Sequence, residues 1–384
     1  MTLRVLHAAT HGHNIGDGAL VAGMHATIEE DLGTRLEVTP IDVLGCKLRG
    51  RRNMLTETEA ARLRGKIDLV LVGGGGMIEG GKSNYLSGLN FNFDPDLIDV
   101  LDVPWVFYAL GFNQFRHTLF LHRGRLRRVL EHVERRGLLF SVRNDGSLQR
   151  LERLLGPQPS VVTIPDPGCY VPTRARPLPE LDPDRRNVLV QLAGDRFGQR
   201  FGSGASRLGR SLRGRDPIRN LAAILAGIVD RHAVHLVLCP HLLVDLRVLS
   251  SLVDALPQRV VRESTTLGPV LNGAGAAPDF FELYRRADLV IGMRGHSAIC
   301  SVGLGTPFIG LASHDKVGGF LDEVGLAEWS VDIDRDPTLR GLPALLDRAI
   351  AGLGHYRARI ERLRPVLRQQ TRDFHARIGR LLGR

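Results

Sequence analysis

Two doubly wound α/β domains are the fold class that the sequence predicts. Three observations support it: a length of 384 residues, an alternation of short apolar runs with helical stretches, and a restart of that alternation after a proline-rich break at 172–186. At about 150 residues per domain the length suggests two domains. Runs of four to seven apolar residues bounded by glycine or proline are typical of strands buried on both faces of a parallel sheet.

The first half, residues 1–171, predicts one Rossmann-like domain. Each apolar run is followed by a helical pattern, which is the order of a βαβ unit. We predict strands at 3–8, 36–41, 67–72, 105–110, 138–142 and 161–164, and helices near 18–31, 56–65, 118–136 and 146–155.

The second half, residues 187–354, repeats the pattern after the linker 172–186. We predict strands at 188–192, 235–239, 259–262, 289–292 and 308–311, helices near 217–231, 242–255, 279–286 and 296–303, and a mobile loop at 198–216. The segment 355–384 predicts one basic amphipathic helix, either continuous or interrupted at Pro365. Ligands of such sheets bind beyond the carboxyl ends of the strands, so we expect the two domains to face each other across a cleft.

Composition excludes several classes of protein. Hydrophobic residues make up 43% of the chain, which argues against disorder, and the apolar runs are too short to span a bilayer. We see no signal peptide. The four cysteines lie far apart without a CxxC pair, so neither a disulfide framework nor structural zinc is expected, and the cytoplasm is the expected location.

The net charge of +10 is concentrated in two segments. Residues 355–384 contain nine arginines and two acidic residues, and residues 116–136 contain seven arginines and two acidic residues. Such segments suit anionic lipid, a phosphorylated substrate or plain solvent exposure. With 5% aromatic residues the chain offers few stacking platforms, so we expect no nucleic-acid partner.

A candidate binding turn follows the first predicted strand. Asn14, Gly16 and Asp17 stand where the strand turns into a helix, and Asp17 can either cap that helix near Gly18 or contact a ligand. Nearby histidines lack a carboxylate or a cysteine to complete a metal set, so we predict no metal.

Four consecutive glycines follow the third predicted strand. Gly74, Gly75 and Gly76 allow the backbone to approach a phosphate or carboxylate closely. The window 76–83 also fits the P-loop pattern GxxxxGK[ST], which requires its Lys and Ser to open a helix. The Asn- and Gly-rich stretch that follows favours a loop, so a P-loop nucleotide-binding protein is the weaker alternative.

Two further strand ends carry candidate ligand groups. Arg143 follows the fifth strand and suits a bidentate contact with an anion, with an internal pair to Asp145 or Asp166 as the alternative. In the second half His241 follows a strand, four residues before Asp245. His241 suits either ligand binding or packing.

The sharpest motif is MRGHS at 293–297. Arg294 and His296 lie between a strand and the N-terminus of a helix, whose positive potential favours an anion. Lys316 follows the next strand on the same edge. A guanidinium binds an anion, and an imidazole exchanges a proton near neutral pH.

These motifs resemble the polysaccharide pyruvyltransferase family. The matching segments occur in the order of that family: NIGD, LVGGGG, YALGF, SVRNDGS, PDPG, CPHLLVD, MRGHS and HDKVGGFLDEVGL, over about 310 residues between 14 and 326. The resemblance implies a GT-B-like fold and transfer of a pyruvyl group from phosphoenolpyruvate to two hydroxyls of a sugar, forming a cyclic ketal. It implies Arg294 as an anion-binding residue and His296 as the general acid.

The remaining roles are less specific. The first domain, 1–171, would hold the acceptor and the second, 187–354, the donor. Arg143 or Lys316 would assist in binding the donor, and Asp17, Glu79 or His241 could serve as base. No cofactor is implied beyond phosphoenolpyruvate as donor substrate. A glycosyltransferase of GT-B type using a nucleotide sugar is the main alternative. The acceptor is free, polymeric or lipid-linked, and the last case suits a peripheral contact with the inner membrane face; the oligomeric state is left open.

Overall fold

A computed structural model of the chain describes residues 2–12, 14–43, 54–81, 84–113, 119–195, 216–313, 315–333 and 335–383. The chain divides into two compact units. Unit 1 comprises 1–170, 273–275 and 365–384, and unit 2 comprises 171–272 and 276–364. In the described part of the chain, no helix has the length and hydropathy needed to cross a membrane.

Unit 1 contains a six-stranded parallel sheet with helices. Its elements are β1 (Thr2–Ala9), α1 (Ile15–Leu32), β2 (Arg35–Asp42), β3 (Met54–Leu55), α2 (Glu57–Leu63), β4 (Leu69–Gly73), β5 (Asn92–Phe93), α3 (Leu97–Leu101), β6 (Trp105–Leu110), α4 (Arg123–Arg135), β7 (Leu139–Arg143), α5 (Ser147–Leu155) and β8 (Val161–Ile164). The strand order is β2-β1-β4-β6-β7-β8, and β3 and β5 form a separate pair.

Alternating side chains of these strands build two cores. Leu69 and Leu71 contribute to one core with α1, and Val70 and Val72 contribute to the other. Burial on both faces explains why β4 is a continuous apolar run. The chain runs outward from β1 to β2 and then returns to β4 on the other side of β1, so a topological switch point lies between the carboxyl ends of β1 and β4.

Unit 2 contains a second six-stranded parallel sheet. Its elements are β9 (Arg186–Gln191), α6 (Pro217–His232), β10 (Val234–Leu238), α7 (Leu246–Ala255), α8 (Gln258–Ser264), β11 (Thr265–Leu267), α9 (Ala277–Arg286), β12 (Leu289–Gly292), α10 (Gly295–Leu304), β13 (Phe308–Ala312), α11 (Asp315–Glu323), β14 (Ser330–Asp332), α12 (Leu342–Ala351) and α13 (Leu353–Leu381). The strand order β11-β10-β9-β12-β13-β14 places the switch point between β9 and β12.

The structure differs from the sequence-based elements at several places. The strand predicted at 259–262 is wrong: these residues lie in α8, and the strand follows as β11. The linker 172–186 packs on unit 2, where Arg174 pairs with Asp279 at 3.1 Å. The loop predicted at 198–216 lies outside the described residues except for Asp216, which caps α6.

The C-terminal helix is continuous and spans Leu353–Leu381. Helix α13 continues through Pro365, and the division between the units falls at that proline. Its second half completes unit 1: Phe374 and Ile378 are buried in the core beside α1. His375 connects the buried Tyr108 hydroxyl, at 2.7 Å, with the Asp31 carboxylate, at 2.6 Å. Arg368 also donates to both oxygens of Asp31.

Candidate functional site

In unit 1 the candidate residues gather at the switch point between β1 and β4. Asn14 caps α1 by accepting a hydrogen bond from the Gly16 N–H at 3.0 Å. The helix therefore begins at Ile15, and the alternative that Asp17 caps it near Gly18 is corrected. Asp17 lies instead in the first turn, where negative charge is favourable. A Cβ on Gly75 would lie 3.8 Å from an Asp17 carboxylate oxygen, so Asp17 adjoins the glycine loop.

The glycine loop is tightly tied to its surroundings. Gly74 and Gly75 adopt φ of 87° and 149°, which side chains rarely tolerate. Carbonyl oxygens of the loop accept hydrogen bonds from Gly111 and from the Asn90 amide. The N–H groups of Gly74, Gly75 and Gly76 donate to no partner in the described chain, which leaves them suited to an anion.

Residues after the loop do not form a P-loop. Lys82 and Ser83 lie outside the described residues, and residues 84–90 form turns and bends instead of the helix that a P-loop requires. Glu79 is half-buried, and its carbonyl accepts a hydrogen bond from the Asn84 amide. The structure therefore gives no support to the P-loop alternative.

Arg143 forms the internal pairs that the sequence left open. Its Nε donates to Asp145 at 2.7 Å and its Nη1 to Asp166 at 3.1 Å, and all three side chains are buried. Burial opposes the Arg143 charge, but the two carboxylates outweigh it and raise the pKa of Arg143. Burial raises the pKa of Asp166 to about 6, against the attraction of Arg143. A contact of Arg143 with substrate stays a prediction.

Three histidines meet beside β1. The Nε2 of His25 and the Nδ1 of His7 are 2.9 Å apart, and the His11 ring lies edge-on to His7. Burial, and then repulsion by neighbouring histidines, lowers the pKa of His7 well below its usual range and that of His25 to about 4. Within the described ranges no group of His, Cys, Asp or Glu is arranged to hold a metal; His13 lies outside them.

In unit 2 the candidate residues gather at the switch point between β9 and β12. Arg294 precedes α10, and its backbone N–H donates to the side chain of the buried Gln191 at 2.9 Å. Its guanidinium donates to Asp245 through Nε at 3.0 Å and through Nη2 at 2.5 Å. The same Nη2 donates to Asp195 at 2.5 Å.

Asp245 organises this part of the sheet edge. Its fully buried carboxylate accepts hydrogen bonds from Arg294 and from the backbone N–H groups of Gly194, His241 and Leu242. Burial opposes the Arg294 charge, but the hydrogen bonds and charge of Asp245, together with Asp195, raise the pKa of Arg294. Arg294 thus stays charged in a buried position.

His241 is enclosed in the core of unit 2. It lies in the turn after β10, its Nε2 is 2.7 Å from the Tyr284 hydroxyl, and that hydroxyl is 3.2 Å from Ser297 in α10. Burial, with repulsion from Arg294, lowers the pKa of His241 well below its usual range. His241 has no exposed surface, which favours the packing role that the sequence left as the alternative, and its contact with substrate stays a prediction.

His296 and Lys316 both lie close to Gly295, His296 as the next residue in the chain and Lys316 in space. His296 is the second residue of α10 and is half-buried. A Cβ on Gly295 would lie 3.7 Å from the Lys316 Cβ, so α11 brings Lys316 beside the start of α10. The structure therefore brings Arg294, His296 and Lys316 together at one edge, as the sequence predicts.

Sequence reasoning missed Asp195 and Gln191. Gln191 is the last residue of β9, the strand next to β12, and Asp195 follows four residues later and is one-third exposed. The signal for Asp195 is its position in the segment LAGD, at the carboxyl end of a predicted strand, where ligands of such sheets bind.

Comparisons with known proteins support both the fold and a family. A UDP-GlcNAc 2-epimerase from Neisseria meningitidis bound to UDP-GlcNAc has a TM-score of 0.54 at 11% identity, covering 94% of each chain. MnaA of S. aureus with UDP has a TM-score of 0.52 at 13% identity, covering 94% of this chain and 91% of that one. The UDP-GlcNAc 2-epimerase of Methanocaldococcus jannaschii has a TM-score of 0.52 at 11% identity, covering 94% and 99%.

At such identities these likenesses show the fold alone, and the GT-B-like pair of α/β domains is confirmed. No curated protein matches the chain. The family model described as polysaccharide pyruvyl transferase matches residues 14–315. The chain therefore belongs to the polysaccharide pyruvyl transferase family, a family of transferases.

Proposed function

We propose that this transferase moves a pyruvyl group from phosphoenolpyruvate to two hydroxyls of a glycan, forming a ketal and releasing phosphate. The observation that carries the proposal is the group Arg294, His296 and Lys316 at the switch point of unit 2, beside the N-terminus of α10. Phosphoenolpyruvate carries a phosphate and a carboxylate, which require cations and N–H donors.

Arg294 can still donate to the substrate despite its ion pairs. Its Nη1 has no partner in the described chain, and an anion that binds there would displace the one-third exposed Asp195 from Nη2, while Asp245 keeps its contacts with Nε and Nη2. Asp245 holds the guanidinium in a fixed orientation, which avoids reorganisation when the donor binds. Lys316 supplies a second positive charge.

The chemistry requires one acid and one base. His296 protonates the methylene carbon of the donor, which leaves an oxocarbenium-like centre at the adjacent carbon. The first sugar hydroxyl attacks that centre and its proton goes to a base. After the reaction the base releases this proton to water and His296 takes one up from water, which restores both groups. The second hydroxyl then forms the other C–O bond as the C–O bond to phosphate breaks, and its proton leaves with the phosphate.

The base in this proposal is a half-buried carboxylate. His241 is enclosed and neutral, which leaves Asp17 and Glu79 among the predicted residues. We favour Asp17, because it adjoins the glycine loop whose N–H groups would hold the acceptor or its phosphate. We place the reaction in the cytoplasm, because the four cysteines of the sequence lie far apart and form no CxxC pair.

The direct test is incubation with phosphoenolpyruvate and a panel of sugar, polymer and lipid-linked acceptors. Release of inorganic phosphate together with a product whose mass includes the pyruvyl group supports the proposal. Phosphate release without such a product, or no turnover with any acceptor, contradicts it.

Variants separate the proposed roles. His296→Ala should abolish turnover and largely spare donor binding, with the exposed His355→Ala of the same unit as control. Arg294→Ala should weaken donor binding, but it also leaves the Asp245 carboxylate buried without its cation. Arg294→Lys keeps the charge and loses the fork geometry, so its donor affinity should also fall while the fold persists.

A nucleotide-sugar glycosyltransferase is the second candidate. The epimerase from Neisseria meningitidis was solved with UDP-GlcNAc, and this chain shares its fold. Melting curves with phosphoenolpyruvate and with UDP-sugars distinguish the two functions, because a ligand at 100 times its Kd stabilises a protein by about 2.7 kcal/mol. A rise with UDP-sugars alone would favour the glycosyltransferase.

A further inference from the structure

A short segment with exposed apolar side chains lies beside the glycine loop of unit 1. Leu119 and Leu121 are 83% and 50% exposed, although both are large aliphatic residues. Phe120 between them points inward and contacts the Phe112 ring at 5.8 Å. The Leu121 N–H donates to the Gly80 carbonyl at 3.2 Å. The two leucines are therefore presented to solvent by an anchored backbone.

Two arginines without an ion pair among the described residues follow this segment in the chain. Arg123 and Arg125 are exposed in the first turn of α4, and neither forms an ion pair with any described residue. Further along α4, Arg128 pairs with Asp96, and Arg135 with Asp99. The whole segment 103–130 contains five arginines and no acidic residue.

This arrangement is unfavourable for the helix itself. Cations at a helix N-terminus oppose the helix dipole, and His122 gives α4 no side-chain cap. Local rules are broken in this way mainly at functional sites. Exposed leucines next to such arginines match a surface that inserts aliphatic side chains at the headgroup level and binds lipid phosphates.

We propose that the surface formed by Leu119, Leu121, Arg123 and Arg125 docks the protein on an anionic lipid bilayer. A second copy of the chain is disfavoured, because two such surfaces repel each other. Nucleic acid is disfavoured because the exposed apolar groups are aliphatic and offer no stacking face.

The C-terminal helix, the other basic segment, suits this role less well. Most of its arginines are paired with carboxylates: Arg357 with Asp288, Arg359 with Glu328, Arg364 with Glu361, Arg368 with Asp31, and Arg372 with Glu30. Its charge is therefore largely neutralised by the protein.

The docking surface adjoins the predicted acceptor residues. Gly80, which holds Leu121, follows Glu79 in the glycine loop segment. A lipid-linked acceptor would thus meet the glycine loop close to the bilayer. This consequence rests on the proposed function, whereas the membrane contact itself does not.

The test is co-sedimentation of the full chain with vesicles of phosphatidylcholine alone and of phosphatidylcholine with about 30% phosphatidylglycerol. We expect preferential, salt-sensitive binding to the anionic vesicles. Arg123→Gln/Arg125→Gln should weaken it about 30-fold, at about fivefold for each charge near the surface. Leu119→Ser/Leu121→Ser should weaken it at constant charge, and the control Arg135→Gln/Arg136→Gln should change it less than twofold.

Three results would overturn the proposal: no preference for anionic vesicles, an equal loss in the control, or equally tight binding to duplex DNA that the Arg123→Gln/Arg125→Gln variant loses. Phosphate release with phosphoenolpyruvate and a soluble sugar is measured on the same variants. Lost vesicle binding with intact turnover supports docking by this surface and leaves the proposed function unaffected. Absent turnover in the wild type contradicts the proposed function and leaves the docking proposal unaffected.

Discussion

Replacing Asp195 by asparagine should tighten the binding of phosphoenolpyruvate. The Asp195 carboxylate accepts from the same Arg294 nitrogen that an anionic donor would approach, at 2.5 Å. The protein thus places its own carboxylate where the proposed function requires a substrate anion. Asparagine keeps the shape and an acceptor oxygen but removes the negative charge.

The magnitude follows from two contributions. A partly exposed ion pair, such as Arg294 with the one-third exposed Asp195, contributes about 0.2–1 kcal/mol that the donor must displace. Repulsion between two negative charges about 4 Å apart adds about 1 kcal/mol in water. Together they give about 1–2 kcal/mol, which corresponds to a 5- to 30-fold lower Kd.

Isothermal titration calorimetry with phosphoenolpyruvate and no acceptor, at one fixed ionic strength, measures this Kd. Asp230→Asn is the matched control, because Asp230 forms an exposed pair of the same length with Arg259 elsewhere in unit 2. An unchanged or higher Kd for a folded Asp195→Asn variant would refute the assignment of Arg294 as an anion site.

Three further predictions concern stability. Acidification from pH 7 to pH 5 should lower the free energy of unfolding of unit 1 by about 2 kcal/mol through His25 alone. The pKa of His25 is about 4 when folded and about 6.5 when unfolded, so the unfolded chain takes up the proton first; the stability is complete above pH 6.5 and is lost toward pH 4. In denaturant titrations, His25→Gln should flatten this dependence of the free energy of unfolding on pH. Asp245→Asn should destabilise unit 2 by about 3–5 kcal/mol, since it leaves Arg294 buried with one partly exposed partner, and calorimetry that finds no loss would contradict the network. Gly111→Ala should lower the free energy of unfolding by about 1–3 kcal/mol, because its Cβ would lie 2.3 Å from the confined Arg143 guanidinium. The control Gly124→Ala, whose Cβ would meet nothing within 4 Å, should be neutral or stabilising when both variants are compared by thermal melts.

The strand ends of the candidate site could be predicted from the sequence, but the pairing among them could not. Local apolar runs identified β4 and β12, and topology then placed the glycine loop and Arg294 at carboxyl edges. That Asp245 and Asp195 hold Arg294 depends on contacts across 49 and 99 residues. No local pattern carries such information.

Errors in the elements have equally physical causes. The segment 259–262 has two adjacent valines, which suit a strand or a helix, and tertiary packing decides for α8. Strand β14 has three residues, too short for a periodic signal. His241 follows a strand as the predicted binding residues do, yet Phe280, Phe281 and Tyr284 from α9 surround its ring, which only the folded chain reveals.

The second half of α13 determines when unit 1 can finish folding during synthesis of the chain. Tyr108 and His375 are 267 residues apart in the chain, and Asp31 and His375 are 344 apart, yet both contacts belong to unit 1. While the ribosome is still synthesising the chain, unit 1 lacks Phe374 and Ile378 from its core and the imidazole that joins Tyr108 to Asp31. Unit 1 therefore begins to leave the ribosome before unit 2 but can be completed only after it, and its apolar surface beside α1 stays uncovered until residues 365–384 have emerged.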